Sequence, residues 1–181
     1  MAIGPLSWTV LQVRKSILLS ALIAGLCLYP AGAARIQDEL HEFNGYTLET
    51  PLSVYPSLKL IRSWSTDFMQ EVGMYENPGE VVTVNGVSLT KGRYRFVNRQ
   101  LESMHLTYEG RENRDKLMRW LEEHYGKLTS YERKMVNQIE WHGGRMAITL
   151  SYNFTTNQGA LRFVSPDLSQ LVDESIGSMP D

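Results

Sequence analysis

Residues 146–154 read Met146-Ala147-Ile148-Thr149-Leu150-Ser151-Tyr152-Asn153-Phe154. Met146, Ile148, Leu150, Tyr152 and Phe154 alternate with Ala147, Thr149, Ser151 and Asn153. An apolar/polar period of two residues is the pattern of a strand with one face in a core and the other in water. Such strands belong to antiparallel sheets with one wet or lightly covered side. This stretch sets the fold class.

The same punctuation extends on both sides. Gly143-Gly144 precedes the stretch and turns a strand expected over Val136 to Trp141. Asn157-Gln158-Gly159 follows it and turns the chain into Ala160 to Ser165. Ser165 can then cap a helix with Pro166 in its first position, ending near Glu174. Upstream, Val81–Val84 and Val87–Thr90 flank Asn85-Gly86, a pair suited to the positive φ of a tight hairpin turn. Lys91-Gly92 is expected to turn into Arg93–Val97, and Asn98-Arg99 into Leu101–Tyr108. A helix over about 113–125 follows, with Asn113 as its cap. Leu117, Trp120, Leu121, His124 and Tyr125 lie near one side, and Gly126 ends it. Residues 81–125 and 136–174 both read as strands joined by tight turns and closed by a helix, which raises a duplicated β-β-β-α unit.

Leu58–Trp64 and Phe68–Tyr75 read as a further hairpin joined at Ser65-Thr66. Tyr46 to Pro51 reads as a loop or edge strand, and residues 35–42 as a polar lead-in, mobile or helical. The expected architecture is α+β: an antiparallel sheet of about seven to eight strands, one main helix and a short C-terminal helix over about 166–174.

The front of the chain has a different character. Arg14-Lys15 precedes an apolar run from Ile17 to Tyr29, Pro30 breaks it, and Ala31-Gly32-Ala33 supplies small residues for a peptidase. This is the layout of a secretory signal over residues 1–34, cleaved after Ala33 or Ala34. The run is short against the roughly 20 apolar residues of a permanent membrane span. Leu26 and Ala24 are a poor match to the residues that precede a lipidated cysteine, so Cys27 is not read as a lipid anchor. Removing 34 of 181 residues leaves one domain, 35–181, with 16 basic and 20 acidic residues, a net charge of −4. That balance lacks the cationic footprint of a nucleic-acid binder. Cys27 is the one cysteine, so the mature part has neither a disulfide nor a thiolate nucleophile. Export without disulfides points to a bacterial envelope.

Reaction-specific motifs are missing. His41, His105, His124 and His142 have no metal-ligand spacing, no G-x-S-x-G occurs, and Gly143-Gly144 opens no helix for a phosphate. Asp67, Glu71 and Glu140 can be named as carboxylates, but nothing pairs any two of them about one bond. No catalytic residue, metal ligand or cofactor is assigned. One surface stands out. If Met104, Leu106 and Tyr108 face the core together with Tyr94 and Phe96, then Arg93, Arg95, Ser103, His105 and Thr107 share the opposite, cationic face. That face suits an anionic ligand or an acidic patch on a partner; the ordinary alternative is a solvated sheet face.

The sequence-level expectation is an exported, periplasmic or secreted, non-catalytic module that binds another envelope or secreted protein, or a small ligand. A hydrolase with a site assembled from distant residues and a structural envelope accessory protein are the alternatives. In the order of its elements the chain is similar to small bacterial envelope modules, including inhibitor-like and outer-membrane-assembly accessory domains. The resemblance covers architecture alone and transfers no residue role.

Overall fold

The structure, a computed structural model, describes residues 34–36, 41–135 and 137–176. Residues 1–33, which hold nearly all of the expected leader, lie outside the described residues, as do 37–40, Val136 and 177–181. In chain order the strands are β1 (Ala34–Arg35), β2 (Glu42–Phe43), β3 (Tyr46–Thr47), β4 (Lys59–Ser65), β5 (Glu71–Glu76), β6 (Val82–Val84), β7 (Val87–Val97) and β8 (Gln100–Glu109). Helix α1 (Arg111–Tyr125) follows, then β9 (Gln138–His142), β10 (Ala147–Asn153), β11 (Gln158–Val164) and α2 (Pro166–Ile176).

The main sheet runs β1-β9-β10-β11-β8-β7-β5-β4, with β6 paired to β7; every pairing is antiparallel except the two-residue β1–β9 contact. This is the expected α+β fold, with eight antiparallel strands, a main helix and a short C-terminal helix. β2 and β3 form a separate small hairpin. The meander β6-β7-β8 and the meander β9-β10-β11 lie side by side, joined through β8 and β11. The shared order of elements in residues 81–125 and 136–174 therefore extends to their strand connections.

The helices differ. Leu117 and Leu121 of α1 enter the large core with Met104, Leu106, Tyr108, Ile148, Leu150 and Phe163. Val172 of α2 forms a second cluster with Val72 and Val97. Val97 follows the core residue Phe96 and points the other way, so α1 and α2 lie on opposite faces of the sheet.

Several local expectations change. Lys91-Gly92 is not a turn: β7 runs unbroken through it, and the pairing with β8 shifts between Thr90 and Arg93. Lys91 takes φ 53°, so the two residues form a bulge that bends the long strand. Asn113 does not cap α1. The helix starts at Arg111, two residues earlier than expected, because Gly110 (φ 89°) lets β8 pass into it without a linker. Phe68 lies in a wider β4–β5 turn rather than in a strand, and Phe154 lies in the β10–β11 turn. Arg35 and Ile36 are not a mobile lead-in: Ile36 is buried, and its N–H donates to the His142 carbonyl at 2.8 Å. Trp141 is fully buried with its indole N–H donating to Gly126 O at 2.9 Å, so this tryptophan is packing.

Glu49 closes the structure at the α2 end. Its backbone N–H donates to Leu101 O, while its carboxylate accepts from Ser165 Oγ at 2.9 Å and Arg145 Nη2 at 2.7 Å. Ser165 in turn accepts from Leu168 N–H at the start of α2, as its expected capping role requires.

Gly159 sits opposite Tyr108, whose ring crosses it to donate to Ser151 O at 2.8 Å. A Cβ at position 159 would stand 2.1 Å from Tyr108 Cζ. Gly159→Ala is expected to push the ring off that bond and lower stability by about 1–3 kcal/mol in urea unfolding.

Candidate functional site

The core covers one face of the sheet. On the other, the strands present Val72, Met74 and Glu76 from β5, Arg93 and Arg95 from β7, and Ser103, His105 and Thr107 from β8. The same face continues through Ala160, Arg162 and Val164 of β11 to Thr149 and Ser151 of β10. Buried and partly exposed residues alternate along β10 and β11, as one covered and one wet face require. Among the described residues, α2 covers one end of this face, over Val72 and Val97.

The structure sorts the five residues singled out from the sequence. Arg93 and His105 are Cα partners, and Arg162 lies on the far side of His105 as its partner from β11. The three form one row across β7, β8 and β11. With strands about 4.8 Å apart, the two arginine backbones stand roughly 10 Å apart across the histidine. Thr149 is the next partner outward from Arg162, and Glu140 the next after that. At the other end, Arg93 Nη1 donates to Glu76 Oε2 at 2.8 Å. The row is thus cationic at its centre and acidic at both ends.

Arg95 and Ser103 are Cα partners one step along the strands, and they do different work. Glu102 is wholly buried, and Arg95 clasps it with Nε and Nη2 at 2.5 Å each. Arg95 is a strut for a buried carboxylate. Ser103 is buried, on a strand against which α2 packs. Thr107 lies on the open part of the face and hydrogen-bonds Thr90.

Sequence reading missed Arg162 and Glu102. Arg162 carries the outward signal, standing between Leu161 and Phe163, but its place beside His105 depends on which strand is the neighbour. Glu102 stands next to Leu101 and Ser103, and a register shift at this point turns it inward to the arginines.

Thr107 also borders a shallow hollow of about 350 Å³ at the β9–β10–β11 side, with Asn137, Ser151, Asn153, Thr156 and Gln158. Its lining mixes these hydroxyl and amide groups with Tyr152, Gly159 and Ala160 and carries no charge among the described residues. No group of three or more His, Cys, Asp or Glu side chains among the described residues is arranged to hold a metal ion. Glu140 Oε2 and His142 Nε2 lie 3.1 Å apart in an exposed hydrogen bond. His124 stacks on Trp120 with ring centres 4.3 Å apart, a packing role. No protein-family model, curated protein or solved structure matches this chain.

The row has an electrostatic consequence. Partial burial of the ring, then the charges of Arg162 and Arg93, hold the His105 pKa below the usual 6.5. The unfolded chain therefore binds more protons than the folded one between that lowered value and 6.5. Stability from this group is fully present above 6.5 and declines as pH falls through the window. By NMR, the His105 ring is expected to titrate below 6.5, and Arg162→Ala should move its midpoint upward; an unmoved midpoint would mean that the two side chains do not interact. Arg95→Ala leaves the buried Glu102 charge without its clasp and is expected to cost about 3–5 kcal/mol. Arg162→Ala, with a half-exposed side chain 3.9 Å from Glu102, should cost under about 1 kcal/mol. Paired urea melts separate strut from surface group.

Proposed function

We propose that the chain is an exported, non-catalytic binding module that engages an anionic partner through the open face of its sheet. One observation carries this reading: Arg93, His105 and Arg162 stand abreast on three neighbouring strands, on the face of the sheet opposite the main core. Guanidinium groups are well suited to binding carboxylates, because their forked donors match the two oxygens. A rigid antiparallel platform holds them in place, so little ordering is required on association. The acidic groups at both ends, Glu76 and Glu140, confine the field favourable to an anion to the middle of the row, and the two arginines there select against cationic partners.

Export rests on the leader pattern of residues 1–34, and it places the module in the periplasm or outside the cell. Another envelope protein with an acidic patch, or a small anionic ligand, is the partner this surface fits. Among the described residues no helix is long and apolar enough to cross a membrane.

The mature protein, immobilised and exposed to an envelope extract of its native host, should retain a partner that is released as salt rises. The double charge reversal Arg93→Glu/Arg162→Glu should abolish retention while the far-ultraviolet spectrum stays unchanged. Equal retention by the reversed variant would show that this face is not the binding surface.

A further inference from the structure

The cationic row and the polar hollow are parts of one surface. Thr107 and Ala160, which border the hollow, are Cα partners of each other. His105 and Arg162 are the next pair on the same face of the same two strands. Residues two apart along a strand are about 7 Å apart. A ligand the size of a sugar ring therefore reaches from the hollow to the arginines.

The two parts differ in chemistry. The row offers two forked cations around a histidine. The hollow presents the hydroxyls and amides of Thr107, Ser151, Asn137, Asn153, Thr156 and Gln158 beside Tyr152 and Ala160, with Thr107 Oγ1, Ser151 Oγ and Asn153 Oδ1 each already making one or more hydrogen bonds within the chain. Such groups both donate and accept hydrogen bonds, which matches the dual character of sugar hydroxyls. An acidic peptide would use the row and leave most of the hollow's polar groups to water.

We infer that this surface binds an acidic saccharide, its anionic group over the Arg93–His105–Arg162 row and its hydroxylated ring in the hollow beside Thr107. This rests on the reading of the open face as a binding surface and gives that face a ligand class. The carboxylate of a uronic acid and the phosphate of a sugar phosphate share the required chemistry. An anion placed on the row also offsets the two guanidinium charges, so His105 becomes easier to protonate when the site is filled.

The mature full chain can be titrated by calorimetry and NMR with four probes: a short oligogalacturonate, glucose 6-phosphate, a neutral maltooligosaccharide and a short polyglutamate peptide. The expected result is binding of one or both acidic sugars, with the neutral sugar and the peptide clearly weaker. The better of the two acidic sugars identifies carboxylate or phosphate as the preferred group. Arg162→Ala should weaken the acidic sugar about tenfold, Gln158→Ala and Asn137→Ala should weaken it several-fold, and the bound sugar should raise the His105 midpoint. Polyglutamate binding as tightly as the sugar, with Arg162→Ala harmful and the hollow variants silent, would overturn the saccharide and leave the anion-binding face standing. A folded protein that binds none of the four probes would also overturn it, while retention by the charge-reversed module decides the wider reading separately.

Discussion

Between β8 and β11, Met104 lies opposite Phe163, Leu106 opposite Leu161 and Tyr108 opposite Gly159, while His105 lies opposite Arg162 and Thr107 opposite Ala160. Successive side chains on a strand point to opposite sides, so this one pairing sends a continuous apolar row under α1 and a polar row into water. It also joins the two three-stranded meanders into a single sheet. A slip of one residue would exchange the faces, burying Arg162 and exposing Phe163. The cost of burying an unpaired guanidinium makes that slip forbidding.

The arginines of the polar face divide into two kinds. Arg95 is held by a carboxylate with no solvent exposure, in a bidentate clasp whose partner cannot be released without leaving a buried charge. Arg93 and Arg162 have side chains about two-fifths exposed, and their acidic contacts lie to one side, at Glu76 and Glu102. Net charge alone would have hidden this, because an acidic chain can still carry a local cationic row. Depth in the sheet separates the strut from the surface groups.

What the sequence disclosed follows from what is local. The alternation over residues 146–154, the Asn85-Gly86 hairpin and the Ser165-Pro166 helix start each depend on near neighbours, and each has its expected place in the structure save Phe154, which falls in the β10–β11 turn. The faces of Arg93, Arg95, His105 and Thr107 followed from parity alone. Other features depended on distant partners. Arg162 joins the row only through the β8–β11 pairing, and Ser103 is buried on a strand that meets a helix some sixty residues later in the chain. Lys91-Gly92 has a turn's composition, but neighbours on both sides hold β7 extended, and the surplus residue is absorbed as a bulge. Ile36 looked like part of a polar tail because its burial depends on the β9 edge.

Both the core and the polar face derive from the register between β8 and β11. Nuclear Overhauser contacts between backbone protons of the two strands measure that register directly. The register requires cross-strand contacts linking residue 105 with 162 and residue 107 with 160. Contacts linking 105 with 161 or 163 instead would exchange the two faces and contradict it.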